Sequence, residues 1–281
     1  MITLLEILKE EIKLVPRRSR EERSKNYGII INKKIQQYIK NGSKGDLDLS
    51  HTKVPSLPDN LKVGGYLDLA HTKIASLPNN LQVLKNLNLA STDITSLPNN
   101  LQVGGDIDLS NTEITSLPDN LQVGGNIDLS RTKITSLPDN LQVGANLDIS
   151  STNVTSLPDN LKVKGDLDLS YTKIISLPSN LKVNKGLFLI GSKITSLPDN
   201  LKVGRNLILT DSKKIKSLPN NLKVGKDLSL VNTNIKSLPS DLQVGGNLYI
   251  SNSLISKNYS KKEIEKMSPG IKGKIVINYW D

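Results

Sequence analysis

From Asp46 onward, apolar residues return at a fixed interval of 20 positions. Leu47, Leu67, Leu87, Ile107, Ile127, Leu147, Leu167, Leu187, Leu207, Leu228 and Leu248 form one column. A second column lies two residues further on and runs from Leu49 through Leu129 to Ile250. A spacing of two places both residues on the same side of a short strand and turns the residue between them to the other side. Next comes a hydroxyl column, Thr52, Thr72, Thr92 and onward to Ser253, then Ile or Val as in Val54 and Ile74. A Leu-Pro step follows (Leu57-Pro58, Leu77-Pro78), then Leu-x-Val (Leu61, Val63), often closed by a pair such as Gly64-Gly65.

Each period therefore predicts one strand, a turn, an extended return arm and a second turn. Proline lacks an N–H, and here it sits where the chain leaves the strand. The glycine pairs read as positive-φ residues at the turn into the next strand. One extra lysine in Asp211-Ser212-Lys213-Lys214-Ile215 shifts the columns by one, after which they resume. Parallel strands about 4.8 Å apart would make eleven periods a sheet roughly 50 Å long. The expected fold is a β-dominated repeat solenoid. Two architectures satisfy the pattern: a leucine-rich-repeat-like parallel sheet, or a parallel β-helix in which Leu61-x-Val63 forms a second strand.

The repeat resembles the leucine-rich repeat family, whose pattern is L-x-x-L-x-L-x-x-N/C-x-L. In one period the matching positions are Ile127, Leu129, Thr132 and Ile134, followed by Leu137-Pro138. A 20-residue period with a Leu-Pro step is similar to the short bacterial subclass, which includes type III-secreted effectors with a helical segment ahead of their repeats. The resemblance implies a protein-binding module of bacterial or phage type that uses its exposed strand face. Two positions depart from the family. Threonine replaces asparagine, so a hydroxyl would have to serve the backbone bonding between coils. Gly64 and most of its equivalents occupy the first leucine slot, which Leu84 keeps.

The ends differ from the repeats. Thr3 and Glu6 form a capping-box pattern, and Leu4, Leu5, Leu8 and Ile12 predict a helix over 4–14 ended by Pro16. Arg17 to Arg23 reads as a charged connection, and Ile31, Ile35 and Ile39 predict a second helix closed by Asn41-Gly42. Residues 1–45 thus form a helical N-terminal cap. In residues 256–281, Ser260 and Glu263 form another capping box over a short helix with Ile264 and Met267, stopped by Pro269-Gly270. Ile275 and Ile277 would add a twelfth strand, and Tyr279 and Trp280 would close the end. The three parts, 1–45, 46–255 and 256–281, are read as one continuous domain.

Charge follows the same division. The chain carries a net +10; residues 1–45 hold 11 Lys/Arg against 5 Glu, and residues 256–281 hold 6 against 3. The repeats hold 20 against 19, so basicity resides in the ends. The arginine run at Arg17–Arg23 is interrupted by Glu21 and Glu22 and lacks aromatics, which makes a nucleic-acid partner unlikely. There is no 20-residue apolar run and no basic leader before the apolar start, so a cytoplasmic protein is expected, with secretion as an effector left open.

Candidate chemistry is confined to the outward row. It reads Asp48, Asp68, Asn88, Asp108, Asp128, Asp148 and Asp168, then Phe188, Ile208, Ser229 and Tyr249. Stacked carboxylates one strand apart repel. The row is a structural filling of the motif, a receptor for a basic protein segment, or a Ca²⁺ ladder; the last is disfavoured because calcium-binding repeats have a different period. After Asp168 the row turns apolar: Phe188 is the only Phe, and Ile190 takes the slot of Ser170. Clustered apolar residues on one face mark contact sites. The candidate partner-binding set is therefore Asp108, Asp128, Asp148, Asp168, Tyr171, Phe188, Ile190, Ile208, Val231 and Tyr249. With no Cys, no Ser/His/Asp grouping and no phosphate-cradling loop, a non-catalytic protein without cofactor or metal is expected. A self-associating structural component is the alternative function. His51 and His71, one repeat apart, are read as incidental.

Overall fold

A computed structural model describes residues 20–277. The helix anticipated over 4–14 and the closing pair Tyr279 and Trp280 lie outside the described residues. The column pairs form a continuous twelve-stranded parallel sheet, one strand per coil. It opens with Leu47↔Leu67 and Asp48↔Asp68 and closes with Leu248↔Ile275 and Tyr249↔Val276, so each column meets its own equivalent throughout. The twelfth strand, Ile275–Val276, falls where the sequence placed it.

The return arms also pair. Lys62–Val63 through Lys162–Val163 make a six-stranded parallel sheet, and Lys202–Val203 through Gln243–Val244 make a three-stranded one. Between them, Val183 keeps only an isolated bridge to Val203. The solenoid thus has a leucine-rich-repeat-like main sheet and, on its arms, the second strand that the β-helix alternative anticipated. Each strand is only two residues long, so stability rests on the shared interior. That interior is aliphatic: Leu49, Leu69, Leu89, Leu109 and Leu129 are all 0% exposed, and the Ile and Val columns are buried with them. Burial of each such side chain contributes about 1.5–3 kcal/mol.

Two backbone expectations are corrected. The threonines of the hydroxyl column do not bridge coils. Thr72 Oγ1 donates to Leu69 O at 2.7 Å, and Thr112, Thr132 and Thr172 repeat this bond within their own coil. Three residues separate donor and acceptor, which is the reach of a hydroxyl closing its own turn. Within this column Ser192 and Ser212 do join coils, at 3.0 Å, and outside it Ser170 accepts from Ile190 N–H, Thr195 donates to Ile175 O and Thr210 meets Ser229 across coils. The Gly-Gly pairs, likewise, are not at positive φ; the positive-φ glycines are Gly42, Gly45 and Gly191. Glycine is favoured in the pairs for space. A Cβ on Gly124 would lie 2.1 Å from Gly104 O, and one on Gly125 would lie 2.1 Å from Asp106 Oδ1. The left-handed position falls instead one residue before the hydroxyl column, as at His51, Arg131, Tyr171 and Gly191.

The bonding between coils comes from a column the sequence reading passed over, the residue just before each strand. Asn86 Oδ1 accepts from Asp106 N–H at 2.9 Å. Asp106 then accepts from Asn126, Asn126 from Asn146, Asn146 from Asp166 and Asp166 from Gly186, at 2.6–2.9 Å. This side-chain ladder runs beside the main sheet, and each rung satisfies one amide at the turn.

At the N-terminal end, the helix Arg20–Lys40 begins inside the segment anticipated as a connection. Its Ile31 and Ile35 are buried, and Tyr38 Oη donates to Ser43 O and Gly45 O at 2.9 and 2.8 Å, which fastens it to the first coil. At the other end, an unanticipated helix Leu254–Asn258, N-capped by Ser253, precedes Lys261–Met267. The Ser260–Glu263 capping box is present in full.

Candidate functional site

The outward row lies on the main sheet, and its carboxylates are held by their own coils. Asp128 Oδ1 accepts from Ser130 N–H at 2.8 Å, and Asp108, Asp148 and Asp168 do the same with the residue two positions on, at 2.7–2.9 Å. Asn88 makes the same bond to Ala90 N–H, so the position needs an acceptor and not a charge. The side chains are half-buried. Burial pushes the Asp128 carboxyl above its usual range; the Ser130 hydrogen bonds pull it back, and Asp148 and Asp108 push it further up. Asp148 is likewise raised by burial, with Ser150 opposing and Asp168 adding to it. Tyr66, beside Asp68, is pushed up to about 12, chiefly by burial.

These shifts have a consequence for stability. The folded state binds protons more tightly than the unfolded chain at Asp128 and Asp148. Their ionisation therefore costs stability at neutral pH, and the cost disappears as pH falls through the raised values. Asp128→Asn with Asp148→Asn keeps both acceptors and removes both charges. The double variant is expected to unfold at a higher temperature at pH 7 and low salt, by on the order of 0.5 kcal/mol per site. The gain should vanish at pH 3 and shrink in high salt, as thermal melts across pH will show.

The change of character along the row coincides with a structural junction. Phe188 pairs with Asp168 on one side and Ile208 on the other. Its ring lies back over Gly186, where an added Cβ would meet Phe188 Cε2 at 2.9 Å. Gly186 stands in the ladder column and accepts nothing from the next coil, so one rung is missing there; the ladder resumes where Asn206 Oδ1 accepts from Asp227 N–H at 3.2 Å and Asp227 Oδ1 from Asn247 N–H at 2.8 Å. The arm sheet is interrupted in the same coil, at Val183. Gly191 takes the left-handed position with φ 59°, and the Tyr171 ring covers it, 2.5 Å from where a Cβ would sit. One coil thus combines the end of the carboxylate row with a break in the ladder and in the arm sheet, both of which resume beyond it.

The candidate residues are not equally available. Tyr171 is 60% exposed and Ile175, which the sequence reading missed, is 58% exposed. Phe188, Ile190, Ile208 and Tyr249 are half-buried. Val231 is buried at 9%, so it offers little surface to the patch, a correction to its place in the candidate set. Ile175 was legible as the apolar member of a column that holds Thr135, Thr155 and Thr195. His51 and His71 stack with ring centroids 4.6 Å apart. Among the described residues no group of three or more His, Cys, Asp or Glu is placed to hold a metal ion, and no helix is long and apolar enough to cross a membrane.

No protein-family model and no curated protein matches the sequence. Solved structures are similar in fold. YopM, described as a leucine-rich effector protein from Yersinia pestis, superposes with a TM-score of 0.52 at 15% identity, covering 92% of this chain and 88% of that one. YopM from Yersinia enterocolitica WA-314 aligns over 96% of this chain and 71% of that one at 18% identity, with a TM-score of 0.36. At 15% identity the first likeness establishes the leucine-rich-repeat-like solenoid and nothing finer.

Proposed function

We propose that this protein is a non-catalytic interaction module that binds another protein on its main-sheet face. The observation that carries the reading is the junction in the outward row, where half-buried carboxylates give way to Phe188, Ile190 and Ile208, with the exposed Tyr171 ring against Gly191 of the Phe188 coil. Aromatic and aliphatic residues beside a charged strip supply an anchor and an orienting field for one partner. The partner is a protein segment with an apolar anchor and basic flanks, the anchor over Phe188 and the flanks along Asp108 to Asp168. The solved neighbour of similar fold is described as an effector, and an effector or adaptor role, of bacterial or phage origin, is the reading we extend to this chain.

The test replaces Phe188 and Ile208 together with serine. Proteins retained on the immobilised wild-type chain should be lost from the double variant by tenfold or more, while its thermal midpoint stays close to wild type. Equal retention by the two proteins would remove the site.

A further inference from the structure

The repeats are close to neutral as a whole, yet their charge is sharply divided along the axis. Residues 46–160 carry 6 Lys/Arg against 13 Asp/Glu, a net −7; residues 161–255 carry 14 against 6, a net +8. The division includes the turn and arm side, away from the row discussed above. There the turn column presents Asp119, Asp139 and Asp159, with Asp199 its one carboxylate in the basic half, and the arm column presents Lys162, Lys182, Lys202 and Lys223, all exposed. After Lys62, the arms of the first half carry Gln82, Gln102, Gln122 and Gln142 in place of those lysines.

These charges have no partners inside the described chain. The single ion pair among the described residues is Lys73–Asp93, at 3.2 Å, and it belongs to neither column. Like charges one coil apart, about 4.8 Å, repel within each column. An opposed charge from outside would relieve both columns at once.

We infer that this side is an interface between two copies of the chain, packed side by side and antiparallel. A two-fold axis crossing the solenoid at the coil of Asp159 and Lys162 places the −7 half of each copy against the +8 half of the other. An isologous contact of this kind uses every complementary group twice. Both columns have one residue per coil, so their pitches are identical. Lys182, one coil above the axis, then meets Asp139 of the second copy, one coil below its own, and Lys202 meets Asp119 of the second copy. End-to-end stacking is the poorer arrangement, because the terminal segments 1–45 and 256–281 are both basic, at +6 and +3. The basic half also presents an open groove of about 1160 Å³ bordered by Lys182, Lys202, Lys223 and Lys272 against the single carboxylate of Asp199, a net positive seat for the acidic turns of the second copy. A freely disposed polyanion, such as single-stranded nucleic acid, would engage the lysine column alone and leave the acidic half unmatched.

Light scattering and sedimentation on the full chain test this directly. In 50 mM salt a dimer is expected between about 1 and 100 µM, and 500 mM salt should raise its dissociation constant tenfold or more, because screening acts on exposed charges. Lys182→Glu with Lys202→Glu should be monomeric, as should Asp119→Lys with Asp139→Lys. Mixed in equal amounts, the two variants should recover the dimer, since each contact zone of the mixed pair is again of opposite sign. Recovery on mixing separates a matched interface from damaged folding. A wild-type monomer throughout that range in low salt would overturn the inference, and so would failure of the mixed variants to associate. Neither result bears on the Phe188 face, whose test uses different residues.

Discussion

Leu129→Ala is expected to lower the unfolding free energy by about 2–5 kcal/mol, the range for a buried leucine whose neighbours relax only partly around the space left behind. Leu129 is 0% exposed and sits in the middle of the main sheet, in contact with the columns of its own coil and both neighbours. A solenoid has no long-range contacts to compensate, so the loss falls on one coil and its two interfaces. Chemical denaturation should show a lower midpoint, and the transition should broaden or split if the two halves on either side uncouple. The exposed neighbour Lys133, changed to alanine, should stay within about 0.5 kcal/mol of wild type. A Leu129→Ala protein as stable as wild type would mean that the aliphatic columns do not form the interior.

Asn146→Ala is expected to cost about 1–3 kcal/mol, through the ladder and not through packing. Asn146 donates its own N–H to Asn126 Oδ1 at 2.9 Å and accepts from Asp166 N–H through Oδ1 at 2.8 Å. Alanine keeps the first bond and orphans the second amide. Asn146→Asp keeps an acceptor, as Asp106 and Asp166 do naturally in the same column, and should lie within about 0.5 kcal/mol of wild type. Hydrogen exchange adds a local readout: the Asp166 amide should exchange faster in the alanine variant and remain protected in the aspartate variant. Equal protection in both would show that another group holds that amide.

The architecture was readable because a period of twenty with apolar pairs two apart admits few solutions, and every column must repeat its environment in every coil. Leu47, Leu67 and Leu87 cannot be buried unless their coils stack in register. What stayed hidden depends on which neighbour a polar side chain finds. The hydroxyl of Thr132 faces a carbonyl of its own coil, and Asn126 faces the amide of the next, yet both appear in sequence as polar residues at a turn. The glycine pairs offered two physical reasons, positive φ or close approach, and only the backbone distances separate them. Gly186 is the most instructive position. Read alone it is another turn glycine; in the fold it leaves out one rung of the ladder and opens the space for the Phe188 ring. Exposure was the least legible quantity, since Val231 and Ile208 look alike in sequence and differ in burial. The axial charge division was visible in the sequence once the repeats were counted in halves, and a sum over all of them concealed it.

The chain has no cysteine, so spin labels can be placed at will. The account rests on coils that advance by one strand spacing each, and labels on the outward row measure that advance directly. Labels at Asp48→Cys and Asp148→Cys, five coils apart, should lie about 24 Å apart, and labels at Asp48→Cys and Tyr249→Cys, ten coils apart, about 48 Å. A distance that doubles as the number of coils doubles is the predicted result. A second distance no longer than the first, or a rise per coil near the 10 Å of packed sheets, would contradict the stacked solenoid and everything placed on its faces.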